Sequence, residues 1–285
     1  MQFSTVAMIL TAAVAHAVWN IASKYKREDT LVFVWAYSCA SALLWLPFSL
    51  ILIVEGQQEL DWRLAVGAVI SSALHIAYSL ILQAGYERAE LGVVYPIARG
   101  SGPVLTILFA TLLMGERLSP GALLGAFIVI AGIFVVTGNP FRSGSRPLQG
   151  MLWGAATGTA IAGYTLWDGY SVISLHLDPV RYYASTLLLQ SLILTPGAMR
   201  RRNRIPTAVR VDIIPILIIA VCSPLAYILV LTAMQSMPLA LVAPLRETSI
   251  IVGSLLSYWL FRENHLARRI AGAVVVLTGI AIISL

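Results

Sequence analysis

The sequence predicts an all-α membrane protein of ten transmembrane helices, built as a five-plus-five inverted repeat. Three observations lead there. The chain is 59% hydrophobic and only 11% charged, whereas a soluble domain carries about 25% charged residues. Apolar runs of about 18 residues or more, each able to cross a hydrocarbon core of about 30 Å, recur along all 285 residues. The second half of the chain also repeats scarce residues of the first at a nearly constant offset.

Taken in order, the spans are 4–23, 31–54, 63–85, 91–113, 120–138, 150–172, 179–198, 211–234, 239–261 and 267–285. They are too long and too evenly apolar for barrel strands, which alternate in polarity over about ten residues. Ala15-His16-Ala17 imitates a leader cleavage site, but no Lys or Arg precedes the apolar stretch; it reads as a first span rather than a removed leader. Several breaks are chemically legible. Gly115-Glu116-Arg117-Leu118 ends the fourth span, and Ser119-Pro120 offers an N-cap and a first helical proline for the fifth. Residues 139–149 read as a linker rich in Gly, Ser and Pro, and Met199 to Arg210 as a polar, arginine-rich loop. No polar stretch is long enough for a soluble domain. The division is therefore residues 1–138, linker 139–149 and residues 150–285, within one integral membrane domain.

The formal charge of +6 is a topological signal, not a sign of nucleic-acid binding. Of the nineteen Lys and Arg residues, fourteen lie in loops after odd-numbered spans and three after even-numbered ones, Arg63, Arg117 and Arg181. Basic loops stay in the cytoplasm. The chain is thus expected in the cell (inner) membrane as a multi-pass protein with both termini outside the cytoplasm. Cys39 and Cys222 fall inside apolar runs and read as buried free thiols.

The repeat is visible residue by residue. Leu74 to Ala84 lies over Ser223 to Ala233 at an offset of 149, pairing Tyr78 with Tyr227. At an offset of 147, Arg99 pairs with Arg246, Glu116 with Glu263, Gly125 with Gly272 and Gly132 with Gly279. An odd number of spans per half turns the second half upside down. That geometry suits alternating access around a central site.

Tyr95-Pro96-Ile97-Ala98-Arg99-Gly100-Ser101, Gly115-Glu116-Arg117-Leu118, Leu245-Arg246-Glu247-Thr248 and Arg262-Glu263 resemble the EamA-type branch of the drug/metabolite transporter superfamily. The resemblance covers essentially the whole chain. It implies ten helices, two inverted five-helix repeats, and export of amino acids or other small metabolites.

The candidate site residues are the polar groups stranded in apolar spans. Arg99 sits about eight residues into the fourth span, about 12 Å from the inner surface at 1.5 Å per residue. Its charge needs a cavity, a partner or a ligand. Pro96, Gly100, Gly102 and Pro103 surround it and suggest a kink. Arg246 is its repeat mate. Glu247 and Asp168 are candidates for a proton site or an ion pair, with Glu247 and Arg99 a conceivable cross-repeat pair. His16, Trp19, Asn20, His75, Tyr78, Tyr95, Tyr164, Trp167 and Tyr227 are candidates to line the substrate pocket, the competing reading being helix packing. The central cavity is expected between spans 1, 3, 4, 6, 8 and 9. Glu116 and Glu263 read as loop fixation, and Gly121, Gly125, Gly272 and Gly279 as sites of close helix approach.

No glycine-rich phosphate loop, His-Glu-x-x-His motif or Cys-x-x-Cys is present. An enzyme is not expected, nor a cofactor or metal. The partners expected are a small-molecule substrate and the lipid bilayer, with no nucleic acid; the sequence leaves the oligomeric state open, and a monomer would suffice. The function that follows is a secondary transporter exporting small metabolites, amino acids first, by alternating access. The alternatives are a carrier of anionic or phosphonate-like metabolites and, further off, a membrane receptor or intramembrane enzyme. A cationic-drug antiporter is disfavoured because the resemblance implies a glutamate in the middle of the first span for that activity, and this span holds only His16 and Asn20.

Overall fold

The computed structural model describes residues 3–23, 25–54, 61–89, 91–115, 117–137, 147–246, 248–249, 252 and 266–284. Every regular element among them is helical: α1 (Phe3–Ser23), α2 (Thr30–Val54), α3 (Trp62–Arg88), α4 (Leu91–Leu113), α5 (Pro120–Thr137), α6 (Pro147–Ile173), α7 (Pro179–Arg200), a short 3-10 turn (Arg202–Arg204), α8 (Ile205–Val211), α9 (Ile213–Met234), α10 (Leu239–Arg246) and α11 (Leu266–Ser284). Thr30–Ile51, Trp62–Gly85 and Ile213–Met234 are long and apolar enough to cross a membrane, and Ala7–Ser23, Gly100–Leu113 and Pro120–Val135 are shorter apolar helices. One sequence expectation is corrected here. Met199 to Arg210 is not a loop, because the 3-10 turn and α8 wind most of it into helix.

Local chemistry sets the helix ends. Asp29 Oδ1 accepts the N–H groups of Leu31 and Val32 at the start of α2. Asp178 Oδ1 accepts from Arg181 N ahead of Pro179 in α7. Ser119 caps α5 through Ala122 N, at 3.1 Å, as its sequence predicts. Gly115 adopts φ +67 just beyond α4, the left-handed conformation that ends a helix and that glycine takes without strain.

Among the prolines that fall inside helices are Pro47 in α2, Pro196 in α7 and Pro224 in α9. Proline has no N–H to give the carbonyl four residues back, and such a carbonyl needs another donor away from water. For Pro224 that carbonyl belongs to Ala220. Trp45 Nε1 of α2 donates to it at 3.2 Å, so the break in α9 becomes a tie between helices.

Among the described residues the helices pair mostly across the two halves of the chain. The chief partner of α1 is α9, that of α2 is α7, that of α4 is α6 and that of α5 is α11, while α3 packs on α6 and α7. The α5–α11 crossing is close enough for backbone contact. A Cβ on Gly279 would stand 2.7 Å from Gly125 O, and one on Gly132 2.8 Å from Val276 N. Gly121, expected to play the same part, does not: a Cβ there would meet only Ser119 Oγ, at 3.9 Å. Cys39 and Cys222 are free and half-buried rather than buried.

The α1–α2 turn is pinned to the second half by two carboxylates. Asp212, fully buried, accepts from Arg27 N and Glu28 N at 3.1 and 3.2 Å. Asp29 takes ion pairs from Arg201 and Arg204. Burial alone would raise the Asp29 carboxyl, but bonds from Arg201, Val32 N and Arg204 outweigh it and hold it below its ordinary value.

Candidate functional site

α3, α6, α7 and α9 converge on one buried carboxylate. Asp168 is fully buried in α6. Its Oδ2 lies 2.9 Å from His75 Nε2 of α3 and accepts the Tyr227 hydroxyl of α9 at 2.6 Å. Its Oδ1 accepts the Tyr182 hydroxyl of α7 at 2.6 Å. An ionised carboxylate is acceptor-only, so with His75 donating from Nε2 three donors satisfy a charge that would otherwise be prohibitively costly to bury.

Aromatic rings close around this centre. Tyr164, one helical turn before Asp168, stacks on His75 with centroids 4.3 Å apart. Tyr227 and Tyr183 meet the imidazole edge-on at 5.2 and 5.7 Å. Tyr78 stands edge-on to Tyr164 at 5.3 Å. At the far side, Arg246 ends α10 with only 3% exposure, its Cζ 5.9 Å from the Tyr164 ring centroid. A buried carboxylate, an imidazole, five tyrosines and a guanidinium thus share one polar, aromatic cage. Such a cage can take a cation against Asp168 and the ring faces, or an anion against Arg246.

His75, Tyr78, Tyr164, Asp168, Tyr227 and Arg246, singled out from the sequence, all meet here. Others do not. Trp167 turns out of the cage and gives its indole N–H to Gly67 O at 3.0 Å. His16, Trp19 and Asn20 bond among themselves along α1: Trp19 Nε1 donates to His16 Nδ1 at 3.2 Å and Asn20 Nδ2 to His16 O at 2.8 Å. Trp19 also packs with the Phe33 cluster. The side chains of Tyr95 and Arg99 lie outside the described residues, as do Glu247, Glu116 and Glu263.

Tyr182 and Tyr183 are the site residues that sequence reasoning missed. They follow Arg181, which was counted as a loop cation but is 1% exposed in the first turn of α7. A signal existed. Asp29 just before α2 and Pro47 within it recur as Asp178 just before α7 and Pro196 within it at an offset of 149, which sets Phe33 opposite Tyr182. Thr11, Ala12, Trp19 and Asn20 of α1 likewise recur as Thr159, Ala160, Trp167 and Asp168 of α6 at an offset of 148. The acid of the cage therefore stands where the first half has Asn20, and its tyrosine donor where the first half has Phe33.

Several apolar helices packed around a buried polar cage define a multi-pass membrane protein. The sequence profile of the EamA-like transporter family matches residues 3–138 and again residues 148–285, and the chain belongs to that family. It is 41% identical over 61 residues to "Multidrug transporter PA4990" of Pseudomonas aeruginosa, a match covering 21% of this chain and 54% of that protein. It is also similar to a solved structure titled "Crystal structure of protein", with a TM-score of 0.80 at 16% identity, over 100% of this chain and 99% of the other. That likeness concerns the fold.

Proposed function

We propose that the chain is a secondary transporter that exports small zwitterionic metabolites of the amino-acid kind by alternating access, with the Asp168 cage as its substrate site. The observation that carries the reading is the meeting of opposite charges in one buried aromatic enclosure. The substrate ammonium docks against Asp168 and His75, its carboxylate toward Arg246, and its side chain among Tyr78, Tyr164 and Tyr183. Ten spans in two inverted halves, divided ahead of α6, whose helix already takes in residues 147–149 of the expected linker, supply the moving parts.

The helix pairing supports a twofold relation between the halves. Exchange of the halves maps the α1–α9 contact onto α6–α3 and the α4–α6 contact onto α10–α1, and leaves α2–α7 and α5–α11 in place; all of these contacts occur. Arg99, the repeat mate of Arg246 in the sequence, is proposed to contribute to the same path.

A second reading is favoured by one specific observation. The partial relative is named a multidrug transporter, and the acid absent from the first span is supplied by Asp168 at the position matching Asn20. A lipophilic cation held by Asp168 and tyrosine faces fits that arrangement. Proteoliposomes containing the full chain, offered labelled amino acids, phosphorylated metabolites and quaternary ammonium ions, separate the readings. Uptake confined to amino acids and abolished in Arg246→Gln supports the zwitterion. Uptake confined to ammonium ions and indifferent to Arg246→Gln supports the cation. Uptake of phosphorylated metabolites alone would overturn both.

A further inference from the structure

A cleft lies well away from the aromatic cage. It lies where α7 gives way to the 3-10 turn, has a volume of about 430 Å³, and is lined by Asp29, Arg200, Arg201, Asn203 and Arg204. Arg201 Nη1 grips both Asp29 oxygens, at 2.7 and 2.9 Å, and Arg204 Nη1 reaches Oδ2 at 2.9 Å. The Asp29 side chain is 7% exposed, but those of Arg201 and Arg204 are still 46% and 66% exposed. One buried carboxylate therefore fixes two guanidinium groups by their inner edges and leaves their outer edges facing the cleft. Arg200 adds a third cation against that single anion. A preset guanidinium fork loses little further freedom when it bonds a phosphodiester.

Apolar surface begins at the same place. Leu192, Pro196 and Met199 form an exposed stripe on α7 at helical spacing, and Met199 adjoins Arg200. Ile214, Leu217 and Val221 form a second stripe on α9, just beyond α8, at 68%, 54% and 46% exposure. A free inorganic anion has no use for these stripes. A molecule with a phosphate head and apolar tails uses both.

We infer that this cleft binds the headgroup of an anionic phospholipid, with its acyl chains along α7 and α9. On the expected orientation the cleft faces the cytoplasmic leaflet, whose anionic lipids draw basic clusters to the surface. The inference is independent of the cargo.

The test uses the full chain in nanodiscs of phosphatidylcholine alone or with phosphatidylglycerol. Lipid retention is read by native mass spectrometry and thermal unfolding by tryptophan fluorescence. Phosphatidylglycerol should be retained and should raise the Tm. The double variant Arg200→Gln/Arg204→Gln keeps the Arg201–Asp29 pair and should weaken retention about fivefold per arginine, roughly thirtyfold in all. The double variant Arg202→Gln/Arg210→Gln removes equal charge from outside the cleft lining and should keep most of the effect. Equal losses in the two doubles would reduce the cleft to diffuse surface charge and overturn the assignment. An equal Tm rise from inorganic phosphate in pure phosphatidylcholine discs would overturn the lipid and leave an anion site.

Discussion

Asp168→Asn changes one oxygen of a fully buried carboxylate into an amide nitrogen and removes the charge at almost no change in volume. Its three hydrogen bonds, from His75, Tyr182 and Tyr227, persist as neutral ones once the imidazole tautomer or a tyrosine hydroxyl turns to accept. A bond to a charged group contributes about 1.5–3 kcal/mol and a neutral one about 0.5–1.5. Three conversions thus lose about 3 kcal/mol. Against that, the variant no longer buries a charge, which costs several kcal/mol per ion. The two terms are of similar size, so the variant should fold with stability within about 1 kcal/mol of the parent. Transport has no such compensation. A substrate ammonium loses its ionic partner, about 1.5–3 kcal/mol, which is a rise of about 10- to 150-fold in KM. Asp168→Ala is the wrong probe, because it strands three donors at about 1–3 kcal/mol each, a sum approaching the whole stability of a domain. The assay pairs Tm in detergent with concentration-dependent uptake into proteoliposomes. An Asp168→Asn protein of parental stability and parental KM would refute the substrate role. Gross destabilisation would show that the carboxylate serves the fold instead.

Three further outcomes are expected. Gly279→Ala should lower stability by about 1–3 kcal/mol through overpacking of the α5–α11 crossing, while Gly121→Ala, whose Cβ would meet only Ser119 Oγ at an ordinary 3.9 Å, should be neutral in the same thermal unfolding measurement. The Asp29 carboxyl is held below its ordinary value of 3.8, so its contribution is present above that pH and lost as pH falls through the lowered folded value. Tm followed down to about pH 3 should drop more steeply in the parent than in Asp29→Asn. A C-terminal fluorescent fusion that matures only in the cytoplasm should stay dark, since the basic loops assign both termini to the other side; a bright cell would reverse the orientation.

The helices were legible because a bilayer demands long apolar runs, and no tertiary contact is needed to see them. Ser119-Pro120 announced the start of α5 for the same local reason. The cage was only half legible. His75, Asp168 and Arg246 stood out because polar groups in apolar runs need an explanation. Tyr182 and Tyr183 did not, because their function depends on the angle at which α7 meets α6, and periodicity within one helix carries no such angle. His16, Trp19 and Asn20 show the converse. They have the composition of a site, yet their polar atoms find partners one turn away on α1. Gly121 and Gly279 are the same residue type with opposite roles, decided solely by which backbone lies opposite.

The cross-half pairing of the helices bears on how the chain is made. When the ribosome has released α1 to α5, the partners of α1, α2 and α5 do not yet exist, since α9, α7 and α11 are still to be synthesised. The early helices must wait in the bilayer with their pairing faces turned to lipid or to the insertion machinery. On this pairing α5 gains its chief partner only once α11 has emerged. Cut at the linker, the two fragments should each be degraded when expressed alone and rescue one another when expressed together.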